Sequence, residues 1–468
     1  MSYARRLLLF VLILLWPAFV TGGATWFVDL KPYVRGGFVA VETVTGAGAG
    51  AGAGAENADD PITEAGADGA AGEGTAGLAA RAGAPVSGVR SVAYSVMAYL
   101  AGLLAPGFWA LALFQAATIA VLVAALSRHE GGPVWAWSLV LALGAAPLGA
   151  SSAGPDVWAG IVILAGLLLF RHGARLHAGE RTVAIAALAF GVAAHASHVL
   201  LAGALAVGAL LLGGRRQRAA GGLLLVGVAG GVAAVLAASL VGFGEASLAP
   251  KRYPIVLARA IEDGPALWHL EEHCDEYRYT VCEVFPDGIP RNVGAFLWAE
   301  GGVRDRATAA QMEAIRAEEP LILRRALAEY PFFQLRRAAA NLAEQFALVI
   351  EPPRLGQGAL YAGAGEVVRE GQRYKVAGRF SELAQGLALA VPLLLLVGAA
   401  SLGLVRIGPP ERRVLLLLGL GLLANAAVCG VLSVPEARYQ ARVVWVAPLI
   451  ALGLLARAPF FTPRQAKP

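Results

Sequence analysis

Charge and imidazole gather at the ends of long apolar runs in this chain. Asp29 stands in "TWFVDLKPYVRGG", Arg90 opens "RSVAYSVMAYL", and Asp156 follows proline in "SSAGPDVWAG". His195 and His198 form "HASH", and Glu436, Arg438, Tyr439 and Arg442 share "VPEARYQARVVWVAPL". Ionisable groups at or near membrane depth are costly, so they mark functional sites. A carboxylate there can take a proton from a reacting hydroxyl, and guanidinium groups can hold an anion. Each residue also has a structural alternative. Asp29 and Asp156 could cap helices, the histidines could bond within a bundle, and Arg438 and Arg442 could snorkel to the interface.

The elements that must position these groups follow from composition. Of 468 residues, 57% are hydrophobic and 15% charged, which excludes an ordinary soluble domain of this length. The net charge of +5 is spread along the chain with no basic run longer than "RRQR", which argues against nucleic acid as a partner. Apolar stretches long enough to cross hydrocarbon lie near 6–24, 107–126, 134–150, 157–170, 182–195, 198–213, 219–241, 384–405, 413–432 and 443–457. The first has a basic start and a small-residue exit like a secretory signal, but the many later spans favour an uncleaved first helix.

Lysine and arginine mark the inner side of membrane proteins. With ten spans and both termini inside, that side receives Arg5, Arg6, Arg128, Arg171, Arg175, Arg181, Arg215, Arg216, Arg218, Arg406, Arg412 and Arg413. Treating 182–213 as one span would destroy this segregation, so two short helices joined near "HASH" are expected, and 90–107 becomes an interfacial segment. The expected fold is thus an all-α polytopic membrane protein of about ten transmembrane helices, in a bacterial inner membrane. Its parts are a membrane domain over 1–241, a mixed, mostly helical outer domain over 242–383, and a second membrane domain over 384–468.

Residues 45–88 form a Gly/Ala-rich stretch with six acidic residues and no aromatic, which reads as a disordered insertion. The segment after 242 carries many aromatics, and its 304–350 stretch suggests two or three amphipathic helices near the membrane surface. Cys274 and Cys282, eight apart, are placed for a disulfide in an oxidising compartment, while Cys429 falls in a span. His269, His273 and Cys274 are a fragment of a zinc set, but no second ligand pair stands at a typical spacing. No cofactor is indicated.

An acid directly after the first span, "RSVAYSVMAYL" before the second, "PD" opening a later span, a large outer loop and a late "RY" together resemble the GT-C-type glycosyltransferases. These are the relatives of protein O-mannosyltransferases and the lipid A aminoarabinose transferase. The resemblance implies an inverting enzyme that moves a sugar from a polyprenyl-phosphate donor to a lipid, glycan or protein acceptor on the outer face. Asp29 would act as base or acceptor-positioning acid, and Arg438, Arg442 and Tyr439 would meet the donor phosphate. Two departures stand out: Asp29 lacks the adjacent second acid of many relatives, and the 45–88 stretch interrupts a loop that is usually compact. A transporter or flippase of lipid-linked glycans, or a non-catalytic membrane scaffold, are the other classes the polar spans admit, although no internal repeat is visible.

Overall fold

Backbone that lies in hydrocarbon must satisfy its own N–H and C=O groups, and long runs of Leu, Ala and Val do so as helices. The computed structural model describes residues 1–25, 30–45, 90–350, 359–362, 365–368 and 372–457. Helices dominate; Ala359–Ala362 and Gly365–Val368 pair as one short antiparallel hairpin. Among the described residues, four stretches are long and apolar enough to cross a membrane: Pro106–Glu130, Gly221–Phe243, Glu382–Ser401 and Pro409–Leu432. Shorter apolar helices stand among them at Val92–Leu104, Val134–Leu143, Val157–His172 and Ala196–Leu212, and together they make this a helical, membrane-associated chain.

Val157–His172 is the hub. Every residue from Val157 to Phe170 is buried, as expected for a helix that is apolar on all sides. Several expected spans are interrupted. The first divides at Leu15 into Tyr3–Leu14 and Trp16–Thr21, with Pro17 in the opening turn of the second piece. The 134–150 run divides into Val134–Leu143 and Ala146–Ala150, again with a proline at the restart, and the last run into Ala437–Val444 and Val446–Leu455. Ala178–Ala194 and Ala196–Leu212 are parted by His195 alone, whose extended backbone (φ −159°, ψ 139°) stops one helix and caps the next.

The segment expected at the interface forms Val92–Leu104, which packs along Leu30–Thr45. Gly37 permits that approach, since a Cβ there would overlap the Ser95 carbonyl. The stretch read as disordered lies, Thr45 apart, outside the described residues.

Residues 255–347 build a core of their own from Leu257, Ile261, Leu270, Phe296, Ile315 and Ile322. Ala309–Glu329 turns Met312, Ile315, Ile322 and Ala326 into that core, so its apolar stripe serves this domain and not the membrane surface. Cys274 and Cys282 are joined as a disulfide, with Cα atoms 5.9 Å apart. The following helix, Pro331–Ala347, buries Asn341 and Gln345 against Pro409–Leu432 and Glu436.

At the end of the bundle away from this domain, Arg128 and Arg171, read as topology marks, are held in ion pairs with buried carboxylates. Glu130 accepts from Arg171, from His172 at 2.8 Å and from Arg457 at 2.8 Å, and Glu411 reaches Arg457 at 2.8 Å. Arg128 pairs with Glu180, whose carboxylate also takes the His177 N–H at 3.2 Å and so starts Ala178–Ala194. Removing one member of such a network leaves its partners charged and buried. Glu130→Ala should therefore lower stability by roughly 3–5 kcal/mol, read as a lower midpoint of thermal unfolding in detergent, with Glu130→Gln falling between it and the parent.

Candidate active site at the domain end of the bundle

Proline at 435 ends the preceding helix path, and Glu436 in extended conformation (φ −149°) starts Ala437–Val444. That short helix lies on Val157–His172 at Gly160. A Cβ on Gly160 would come within 2.5 Å of the Arg442 carbonyl and the Trp445 indole nitrogen. Only glycine admits this crossing, and the crossing sets Arg442 beside Asp156.

Arg442 is 5% exposed, and its guanidinium is enclosed by polar partners. Nη1 donates to Asp156 Oδ1 at 2.8 Å. Nε and Nη2 donate to Asn425 Oδ1 at 3.3 and 3.1 Å, and Nη2 also reaches Cys429 Sγ at 3.1 Å and Ser197 Oγ at 3.4 Å. Asn425 can face its carbonyl to Arg442 because its amide nitrogen donates to Gln440 Oε1 at 3.0 Å and to the Tyr439 carbonyl. Tyr439 lies between the two arginines, 4.8 Å from Arg438 and 5.1 Å from Arg442, and Arg438 Nη2 donates to its hydroxyl at 3.0 Å. Asp156 lies in the field of both guanidinium groups and of His195.

The histidines occupy the break between two helices. His195 Nδ1 accepts the Ser197 N–H at 3.2 Å, which caps Ala196–Leu212. His198 is 1% exposed and bonds the Gly191 carbonyl at 2.7 Å through Nδ1, which must therefore carry the proton. Its Nε2 lone pair is buried with no hydrogen-bond partner among the described residues. The two rings stand 5.4 Å apart.

Arg90 completes the group from another side. It lies over the Tyr33 ring at 5.4 Å, and Tyr33 meets Tyr94 edge-on at 5.2 Å. Tyr94 donates to the Ala153 carbonyl at 3.0 Å, and Gln115 donates to the Ser152 carbonyl at 2.7 Å while accepting from Trp158 at 3.1 Å. Ser91 bonds the Ala193 carbonyl, which ties Arg90 to the turn that carries His195. Beside them runs a cleft lined by Arg90, Ser91 and Ser239 together with apolar residues such as Val235, Phe243 and Leu248.

Arg90, Asp156, His195, His198, Arg438, Tyr439 and Arg442 thus converge at one end of the bundle. Asp29 lies outside the described residues. Its flanks are fixed at the same end: Thr25 pairs with Ser152, its N–H on the Ser151 carbonyl and its carbonyl on the Ala153 N–H, and Tyr33 packs on Tyr94. Cys274 and Cys282 sit apart, in the 255–347 domain.

Two structural alternatives are overturned. Asp156 occupies the N-cap position of Val157–His172 but makes no capping bond, because its carboxylate serves Arg442. Arg442 does not snorkel, because its head is buried and bonded inside the bundle. Asn425, Ser197 and Gln115 escaped sequence reasoning. Asn425 and Gln115 each carried a signal, a lone amide within a long apolar run, and such amides are retained where they bond across helices.

Two guanidinium groups near one carboxylate leave this end of the bundle with an excess of positive charge, which favours an anion over a cation there. No family model matches the chain, and no curated protein or solved structure is significantly similar to it. Asp156→Ala should strip a buried guanidinium of its counter-charge and cost about 3–5 kcal/mol. In a double-mutant cycle with Arg442→Ala, followed by thermal unfolding, the double variant should lose less than the sum of the singles by at least about 1 kcal/mol.

Proposed function

We propose that this chain is a polytopic membrane glycosyltransferase of the GT-C type, using a polyprenyl-phosphate sugar at the outer face of a bacterial inner membrane. The observation that carries the reading is the convergence of Arg90, Asp156, His195, Arg438 and Arg442 at one end of an apolar helix bundle, beside a mostly apolar cleft that Arg90 also lines. Such a donor joins an anionic headgroup to a tail dissolved in the bilayer, so its site must offer both surfaces at the same depth.

In this reading the chain crosses the membrane ten times. Both termini lie inside with the Glu130 network, and the 255–347 domain lies outside. The course of the first helices supports that path: Arg6 donates to Ser127 Oγ at one end of the bundle, and the Thr25 backbone pairs with Ser152 at the other.

The reaction is a single displacement that inverts the anomeric carbon. The acceptor oxygen bonds to that carbon as the bond from carbon to phosphate oxygen breaks, and polyprenyl phosphate leaves with its electron pair. Asp29 takes the acceptor's proton. Arg438, partly exposed on the turn before Arg442, stabilises the departing phosphate, and Arg442 with Asp156 and Asn425 fixes the helix that presents it. Neither a cofactor nor nucleic acid enters this scheme.

Transfer and donor binding, measured separately on purified protein, test the reading. Asp29→Asn keeps shape and capping ability but removes the base, so turnover should fall roughly 10²- to 10⁴-fold with thermal stability unchanged. Arg438→Ala should mainly weaken donor binding, by about 1.5–3 kcal/mol. Full activity in the Asn variant would end the catalytic role of Asp29, and binding without any transfer in the parent would favour a carrier.

Orientation has its own check. A cysteine at the exposed position Asp287 should react with a membrane-impermeant maleimide in intact spheroplasts. Labelling only after permeabilisation would place the domain inside and overturn the proposed geometry.

A further inference from the structure

The 255–347 domain assembles a second cluster that the transferase scheme does not use. His269 and His273 stand one turn apart on Pro265–Tyr277, and Glu329 closes the neighbouring helix Ala309–Glu329. One ligand atom from each of the three lies within 4.8 Å of the others. His269 Nδ1 is 2.8 and 2.9 Å from the two Glu329 carboxylate oxygens, and His273 Nε2 is 3.6 Å from the second of them. The last distance is too long for a hydrogen bond, so the carboxylate holds one imidazole directly and faces the other across a gap.

The far nitrogen of each ring is occupied. His269 Nε2 meets the Tyr279 hydroxyl at 3.0 Å, and that hydroxyl is itself fixed by Arg325 Nη1 at 2.7 Å. His273 Nδ1 meets the Glu276 carboxylate at 3.0 Å. Metal-binding imidazoles are oriented in this manner, with the nitrogen not facing the ion held by a carboxylate or another polar group. The disulfide at Cys274, next to His273, ties this end of the helix to Cys282 and removes that sulfur from the set of possible ligands.

We propose that His269, His273 and Glu329 bind one zinc ion. Two imidazole nitrogens and one carboxylate suit zinc, whereas calcium and magnesium require shells made mostly of oxygen. Tetrahedral ligands at about 2.0–2.2 Å from zinc stand about 3.3–3.5 Å from one another, so side-chain shifts of about 1 Å close the site. Zinc takes the Nδ1 lone pair of neutral His269, whose one proton then sits on Nε2 and is donated to the Tyr279 hydroxyl oxygen, while the Glu329 carboxylate turns from that imidazole to the ion. His269 is fully buried, while the His273 and Glu329 side chains are 23% and 35% exposed. The fourth position therefore opens toward solvent and takes a water. The ion clamps Pro265–Tyr277 to the end of Ala309–Glu329, and the inference stands independently of the transferase reading.

The test uses the full chain in detergent, freed of any polyhistidine tag and stripped with EDTA. Titration with zinc chloride, with metal content read by mass spectrometry after desalting, should give one zinc per chain and a higher thermal midpoint. His273→Ala, at a partly exposed position, should bind at least about tenfold more weakly. The double variant His273→Ala/Glu329→Gln should retain no zinc and show no midpoint shift, with its metal-free midpoint reporting whether it folds. A parent that binds no zinc, one that takes calcium or magnesium equally well, or variants that bind zinc like the parent would each overturn the proposal.

Discussion

A guanidinium cannot be neutralised by losing its proton, so a buried arginine must have its donors met by the surrounding fold. Arg442 imposes that condition here. Asp156 opens one helix, Ser197 lies in the first turn of a second, and Asn425 and Cys429 lie on a third, so a single side chain fixes how three helices meet the one that carries it. The geometry depends in turn on the absence of a side chain at Gly160, which lets the two backbones approach. Arg438, Tyr439 and Gln440 ride on the same short helix, so their placement follows from this burial.

The opposite end of the bundle solves the same problem with the signs reversed. Glu130 is the buried charge there, and Arg171, His172 and Arg457 enclose it from three directions. Between the two ends, residues Val157 to Phe170 of the central helix are all buried and none is charged. Charge at the ends and none in the middle is the arrangement that a hydrocarbon slab demands of any helix set crossing it. A consequence is that two networks far apart in space, and not one continuous polar core, hold the helices in register.

The 255–347 domain is docked at the site and not merely tethered beside it. Gln345 donates to the Glu436 carbonyl at 3.0 Å and accepts the Glu436 N–H at 2.9 Å, two residues before Arg438. Asn341 on the same helix bonds both carboxylate oxygens of Asp263, at 3.1 and 3.0 Å, in the domain itself. Pro331–Ala347 thus joins the domain directly to the start of the helix that carries Arg438 and Arg442.

Local properties were open to reading along the chain. Hydropathy gave the helical, membrane-associated class, arginine spacing required a break at "HASH", and the charged residues at apolar ends, apart from Asp29 outside the described residues, are the ones that converge. Proline and glycine effects were partly legible too, although the divisions at Leu15 and Trp445 were not anticipated. Partnership was not legible. Asp156 and Arg442 are separated by 286 positions, Glu130 and Arg457 by 327, and Glu329 lies 60 positions from the histidine it joins. Hydropathy and capping act within a few residues and can be read from order alone. An ion pair or a ligand set exists only once packed helices bring distant side chains within about 3 Å, and that distance is decided by interlocking glycines and side chains in the folded bundle.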